Sequence, residues 1–225
     1  MKTRLLTCSV LAITGATLLT GCGGSSTLGT ASNPQVRAVD LLTTPTTVNV
    51  TIAAGLMSGV NTFGNVSSYQ PFTNGNTNVT FTDVSTSNVV INQNPLFTLN
   101  GTYTVIGYNG ASGPALLVLS DSNHIGSTQS TVRFTKVAAG TASSVDVYVT
   151  APGASLAAIS PTFSAVSLGS SGQSYVAFAS GTYEVRETAA GSKTAIIDQQ
   201  FTLSGGTANT LLDDGTTTFF ALQDQ

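Results

Sequence analysis

Slid against itself, this sequence gives a series of matches in one order. Val48-Asn49-Val50 answers Val145-Asp146-Val147, Phe63 to Ser67 answers Phe163 to Ser167, and Tyr69 to Gly75 answers Tyr175 to Gly181. Phe97 to Gly101 then answers Phe201 to Gly205, and Leu117 to Asp121 answers Phe220 to Asp224. The offsets stay between 97 and 106 residues, too long for a solenoid repeat and close to the size of a small β-sandwich. A collinear series means duplication, with copies from about Val36 to Asp121 and from Val132 to Asp224. Whatever this chain folds into must be buildable twice.

The local pattern is strand. Val48, Val50 and Ile52 alternate with Asn49 and Thr51, Val145, Val147 and Val149 with Asp146, Tyr148 and Thr150, and Tyr183 and Val185 with Glu184 and Arg186. Period two places one set on a core face. Asn74-Gly75, Asn100-Gly101, Asn109-Gly110, Ser180-Gly181 and Gly205-Gly206 are the expected turns, because Asn and Gly accept positive φ at little cost. The expected fold is all-β: two tandem antiparallel β-sandwich domains, similar to immunoglobulin-like domains, over residues 35–122 and 132–225 with a linker at 123–131. The aromatics Phe63, Tyr69, Phe72, Phe97, Tyr103, Phe163, Tyr175, Phe178, Tyr183 and Phe201 are expected in the cores.

Ahead of the copies, Lys2 and Arg4 precede a mostly apolar stretch from Leu5 to Leu19 and then Leu19-Thr20-Gly21-Cys22, the layout of an export signal. The ending resembles the bacterial lipobox, which implies cleavage after residue 21 and acylation (diacylglyceryl and palmitate chains) of Cys22. An ordinary secretory signal with a chance Cys is the plainer alternative. A spanning helix is disfavoured, since about 20 apolar residues are needed to cross a bilayer. Cys8 leaves with the signal, so no free thiol remains for a disulfide, a nucleophile or a metal. Residues 22–34 form a lipidated Cys and Gly/Ser/Thr tether. Gly23, where an Asp would resemble an inner-membrane retention signal, favours the outer membrane.

Val132-Arg133, then Val145 to Val149, then Ala179-Ser180-Gly181-Thr182-Tyr183-Glu184-Val185 resemble the domain-of-unknown-function family numbered 4397. Leu99-Asn100-Gly101-Thr102-Tyr103-Thr104-Val105 is similar to that family's closing Leu-x-x-Gly-x-x-Tyr-Thr-Val strand, one residue shorter before Tyr. The resemblance implies the fold and is silent on chemistry. The family's His-Ala-Ser-Pro-like stretch is replaced by Val39-Asp40-Leu41-Leu42 and Thr135-Lys136-Val137-Ala138, so no site there carries over.

Charged side chains make up 8% of the chain, with seven basic against ten acidic, too few cations for a run of phosphates, so no nucleic-acid partner is expected. The single imidazole, His124, falls in the connector between copies and reads as a solvated linker residue, and no Gly-x-Ser-x-Gly elbow occurs. Asp213-Asp214-Gly215 is the best acidic cluster and reads as a turn rather than a calcium site. Glu184, Arg186 and Glu187 read as a solvated strand face. No catalytic, cofactor or metal residue is therefore expected.

The second copy has six more residues between its Phe-x-x-Val and Tyr-x-x-Phe motifs, around Leu168 to Ser174, and that loop is the expected place for specificity. The expected function is a non-enzymatic, lipid-anchored envelope module that binds a glycan, a matrix component or another envelope protein. A structural spacer or assembly subunit is the alternative, with a carboxylate-based polysaccharide hydrolase behind it.

Overall fold

The computed structural model describes residues 31–121, 126–140, 142–170 and 174–224. The export segment, Cys22, His124 and the middle of the Leu168 to Ser174 loop lie outside the described residues. Among those described, every regular element is a strand. The first half contains β1 (Gln35–Leu41), β2 (Val48–Ile52), β3 (Gly55–Leu56), β4 (Asn65–Val66), β5 (Gln70–Pro71), β6 (Gly75–Asn76), β7 (Val79–Asp83), β8 (Val89–Gln93), β9 (Leu96–Phe97), β10 (Thr102–Gly110) and β11 (Gly113–Ser120). The second contains β12 (Gln129–Lys136), β13 (Ser144–Thr150), β14 (Phe163–Ser167), β15 (Val176–Ala179), β16 (Gly181–Ala189), β17 (Ala195–Leu203), β18 (Ala208–Asp213) and β19 (Phe220–Asp224).

Each sheet draws its strands from one half. In the first, β11-β10-β1-β4, with β5 also on β1, packs over β3-β2-β7-β8; in the second, β15-β12-β18-β19 packs over β14-β13-β16-β17. The β6–β9 pair extends the first arrangement. Pairings between these strands are antiparallel except for one in each half: β1 runs parallel to β10, and β12 parallel to β18. Parallel neighbours need a long crossover, and here the crossover takes in the whole facing sheet before the chain returns beside its opening strand. The turn expected at Asn109-Gly110 lies two residues later. β10 pairs with β11 as far as Gly110 opposite Gly113, and Ala111-Ser112 make the reversal, with Gly113 at φ 120°. Asn109 is held in place because its Oδ1 accepts hydrogen bonds from the Thr43 amide and hydroxyl at 2.7 and 2.8 Å.

Val36, Ala38, Val48, Val50, Ile52, Val79, Phe81 and Phe97 fill one core, and Val132, Phe134, Val145, Val147, Phe163, Val185 and Leu211 fill the other. A third core joins the halves, with Val39, Leu41, Ile106, Tyr108, Leu117 and Leu119 meeting Val137, Leu212 and Leu222. The opening strand therefore buries both faces: even residues of β1 enter their own core and odd ones the shared layer. Ala31–Gln225 is accordingly one compact unit. β12 starts at Gln129, inside the stretch expected as linker.

Charge crosses this shared layer in both directions. Arg37 pairs through Nη2 with Asp224, donates from Nη1 to the Gln223 carbonyl at 2.7 Å and from Nε to Thr104 Oγ1 at 2.8 Å. Arg133 repeats the pattern toward the first half: Nη2 to Asp121, Nη1 to the Ser120 carbonyl at 2.7 Å, and Nε to Thr210 Oγ1 at 2.7 Å. Each carboxylate is also held by its own half. Asp121 Oδ2 accepts from Tyr69 and Thr104, both at 2.7 Å, and Asp224 Oδ2 from Tyr175 and Thr210, both at 2.6 Å. Each guanidinium lies 4.7 Å over the ring of its own half's tyrosine. Tyr69 and Tyr175, expected as core aromatics, are thus polar members of the junction. Burial, chiefly, pushes both phenols above their ordinary range.

Removing one member leaves a buried charge alone, which costs about 3–5 kcal/mol. Arg133→Ala is expected to lower stability by about that amount in urea titration. Arg133→Met with Asp121→Asn, which keeps an acceptor for Tyr69 and Thr104, should cost less than Arg133→Ala alone. Because the halves share a core and exchange these charges, calorimetry of the wild type should show one unfolding transition.

Candidate functional site: a buried lysine between two carboxyls

Alternation along three strands builds a polar cluster at one end of the second core. On β12, Val132, Phe134 and Lys136 follow one another at spacing two into that core. On β16 the same holds for Tyr183, Val185 and Glu187, and on β18 for Leu211 and Asp213. Lys136 and Asp213 are register partners on parallel neighbouring strands, and Lys136 Nζ contacts Asp213 Oδ2. Glu187 reaches the same place from the facing sheet. Lys136, Glu187 and Asp213 are 1%, 2% and 4% exposed, so this is a charged cluster withdrawn from water.

The expectation of a solvated face at Glu184, Arg186 and Glu187 is corrected here. Glu184 and Arg186 share the outer side, where Glu184 Oε2 accepts from the Gly153 amide at 2.7 Å and lies 3.5 Å from Arg186. Glu187 points the opposite way. Its carboxyl is pushed up to about 8 by burial and then by the neighbouring Asp213 charge, against the opposing pull of Lys136. Burial therefore favours its protonated form, and its Oε2 has no hydrogen-bond partner. Asp213-Asp214-Gly215 does form the expected turn, with Gly215 at φ 85° donating to Asp213 Oδ1 at 2.9 Å. Its first residue nonetheless belongs to the cluster, and the cation it receives is the ammonium of Lys136.

Beside the cluster lies a cavity of about 170 Å³, lined also by Gly140, Ala142, Ile197, Gly215 and Thr216. Small side chains keep it open: a methyl added at Gly140 would stand 3.2 Å from Lys136 Nζ. Two-carboxylate glycoside hydrolysis needs a separation of about 5 Å or more, with the sugar between the groups. Here the second carboxyl adjoins the first and is engaged by the lysine. The arrangement suits proton exchange among an amine and two carboxyls.

The first half has none of this at matching positions. On β1 and β10 the partners are Asp40 and Gly107, where the second half has Lys136 and Asp213. Phe81 stands opposite Val50 on β2 as Glu187 stands opposite Val147 on β13, and its ring lies against Gly107 so closely that a methyl there would meet it at 2.4 Å. Asp40, fully buried, keeps one oxygen on the Leu42 amide at 3.0 Å, while Oδ2 has no partner. Burial raises its pKa from 3.8 to about 6.

The described part of the Leu168 to Ser174 loop packs into the junction. Leu168 lies against the shared core, the Gly169 amide donates to the Lys136 carbonyl at 2.8 Å, and Thr135 Oγ1 donates to the Ser170 carbonyl at 2.6 Å. A methyl on Gly169 would strike the Tyr108 hydroxyl at 2.2 Å.

Compared with known protein families, the chain matches the model of Domain of unknown function (DUF4397) over residues 34–148. The chain belongs to this family. The DUF4397 match spans the first half, the opening strand of the second with Arg133 and Lys136, and most of β13. No curated protein matches the chain.

Asp40 gives a signed test of burial. Its raised pKa means the folded chain holds that proton more tightly than the unfolded one. The group's stability penalty therefore grows as pH rises from about 4 to 6 and is constant above. Asp40→Asn is expected to be neutral below pH 4 and stabilising above pH 6 by up to ~3 kcal/mol, read from denaturation midpoints across that range.

Proposed function

We propose that this chain is a lipid-anchored cell-envelope protein, held to the outer membrane through Cys22, that binds an uncharged polar partner, most simply an envelope glycan, without catalysing a reaction. The observation that carries the binding part is the outer face of β3-β2-β7-β8. Val48, Val50, Val79, Phe81 and Ile91 point inward, which leaves Asn49, Thr51, Thr80, Thr82 and Asn92 on the opposite side. These five are side by side in register: Asn49 opposite Thr82, Thr51 opposite Thr80, and Thr80 opposite Asn92. Asn78 donates to Asn92 Oδ1 at 2.7 Å and extends the row. None is charged. Amide and hydroxyl groups on one sheet face offer paired donors and acceptors to the hydroxyls of a polysaccharide.

The rigid junction supports the alternative of a spacer, since exchanged Arg–Asp pairs hold two sandwich-like halves as one body. Binding separates the two readings. Isolated envelope polysaccharide should bind the full chain saturably, and Asn49→Ala with Asn92→Ala should weaken it about fivefold to tenfold, at roughly 1 kcal/mol for lost hydrogen bonds. Absence of saturable binding would favour the spacer. The anchor has its own test. Cys22→Ser should move the chain from the membrane fraction to the soluble fraction and remove the acyl mass, because several acyl chains make anchoring durable; unchanged partition would reject the lipid anchor.

A further inference from the structure

We propose that Lys136 and Asp213 join through an amide between Nζ and Cγ, promoted by Glu187, so that the second half closes its own covalent crosslink between β12 and β18. Three observations carry this. Nζ is already against the carboxyl it would attack, because the two residues are register partners at the last positions of adjacent parallel strands. Glu187 stands beside both from the facing sheet, with an oxygen that has no other partner. All three groups are buried, where holding separated charges is costly and neutralising them is favoured.

The step balances without an oxidant or external reagent. The ammonium first passes a proton across the Nζ to Oδ2 contact, which leaves a neutral amine and a neutral carboxylic acid. The Nζ lone pair attacks Cγ, forming the C–N bond, while the Glu187 proton supports the carbonyl oxygen of Asp213. As the tetrahedral centre collapses, Glu187 takes a proton from Nζ and returns one to the departing oxygen, the Cγ–O bond breaks, and water leaves. Glu187 ends as it began, protonated, which accords with burial raising its pKa to about 8. The adjoining cavity of about 170 Å³ is large enough to receive the released water, whose share of liquid volume is about 30 Å³. The acid–amine–acid arrangement is also replaced as a unit in the first half, where Asp40, Gly107 and Phe81 stand at the three positions.

Tryptic digestion of the full-length chain, purified from membranes in detergent, reads the bond directly. Acylated Lys136 is no longer a cleavage site. The wild type is therefore expected to yield residues 134–186 joined to residues 194–225, at a mass one water below the two together. Recovery of the free 134–136 peptide in full yield from folded wild type would overturn the proposal. Lys136→Arg should abolish the joined product. Glu187→Gln, with its circular dichroism unchanged, should form the product at least ~100-fold more slowly, the usual contribution of a positioned acid–base group. A wild-type rate in that variant would overturn the part given to Glu187. If Glu187→Gln fails to fold, the wild-type digest decides alone.

Discussion

Two arginines, each ion-paired across a buried layer to a carboxylate of the other half, set the terms for the rest of this molecule. A guanidinium and a carboxylate withdrawn from water are tolerable only with near-complete hydrogen bonding. The structure supplies it from both sides, through Thr104 and Thr210, Tyr69 and Tyr175, and the Gln223 and Ser120 carbonyls. The requirement reaches outward. For Arg37 and Arg133 to lie in the shared layer, β1 and β12 must present their odd residues to it, which sends the even ones into the separate cores. For Asp121 and Asp224 to meet them, each half must end on a strand that reaches the same layer. Register on the parallel opening and penultimate strands then sets Thr104 beside Arg37 and Thr210 beside Arg133.

Symmetry at the junction contrasts with divergence at the sandwich ends. The partners of Arg37 recur around Arg133, which in addition lies 3.8 Å from Asp224 of its own half. Three residues further along β1 and β10, Asp40 and Gly107 stand where β12 and β18 carry Lys136 and Asp213, and Phe81 on the facing β7 stands where β16 carries Glu187. The first half closes that end with an aromatic ring over a glycine beside one buried carboxyl, Asp40; the second closes it with three ionisable groups. The ring needs only dispersion contacts, whereas the ionisable trio needs each partner present. Substitutions at the two ends therefore have different consequences although the positions match strand for strand.

Much of this was readable beforehand. Duplication showed in Tyr69 and Tyr175 and in Asp121 and Asp224, and strand character in the alternation of Val48, Val50 and Ile52. Extending that alternation one step beyond Tyr183 and Val185 puts Glu187 on the core face, and doing the same beyond Phe134 does so for Lys136. Charge argued against that step, because such residues are rarely buried unless paired, and the pairing lies 77 residues away at Asp213. Nor could period two reveal that β1 buries both faces, since Arg37 between Val36 and Ala38 reads as an outward position. The parallel pairs were equally hidden: alternation says which side a residue faces and nothing about the direction of its neighbour.

The parallel strand pair in the first half also bears on how the molecule meets tension. A pull entering ahead of Gln35 acts along β1, whose seven residues, Gln35–Leu41, are all in register with Thr102 to Tyr108 on β10. Force along that axis loads the ladder in shear, so its hydrogen bonds must yield together rather than open one after another as in a peeled hairpin. The Arg37 side chain adds resistance at right angles, being fastened to the other half through Asp224. A chain tethered at its N-terminal side would thus take the load on its most cooperative element, and β11, an edge strand paired only through β10, would be spared until β1 gave way.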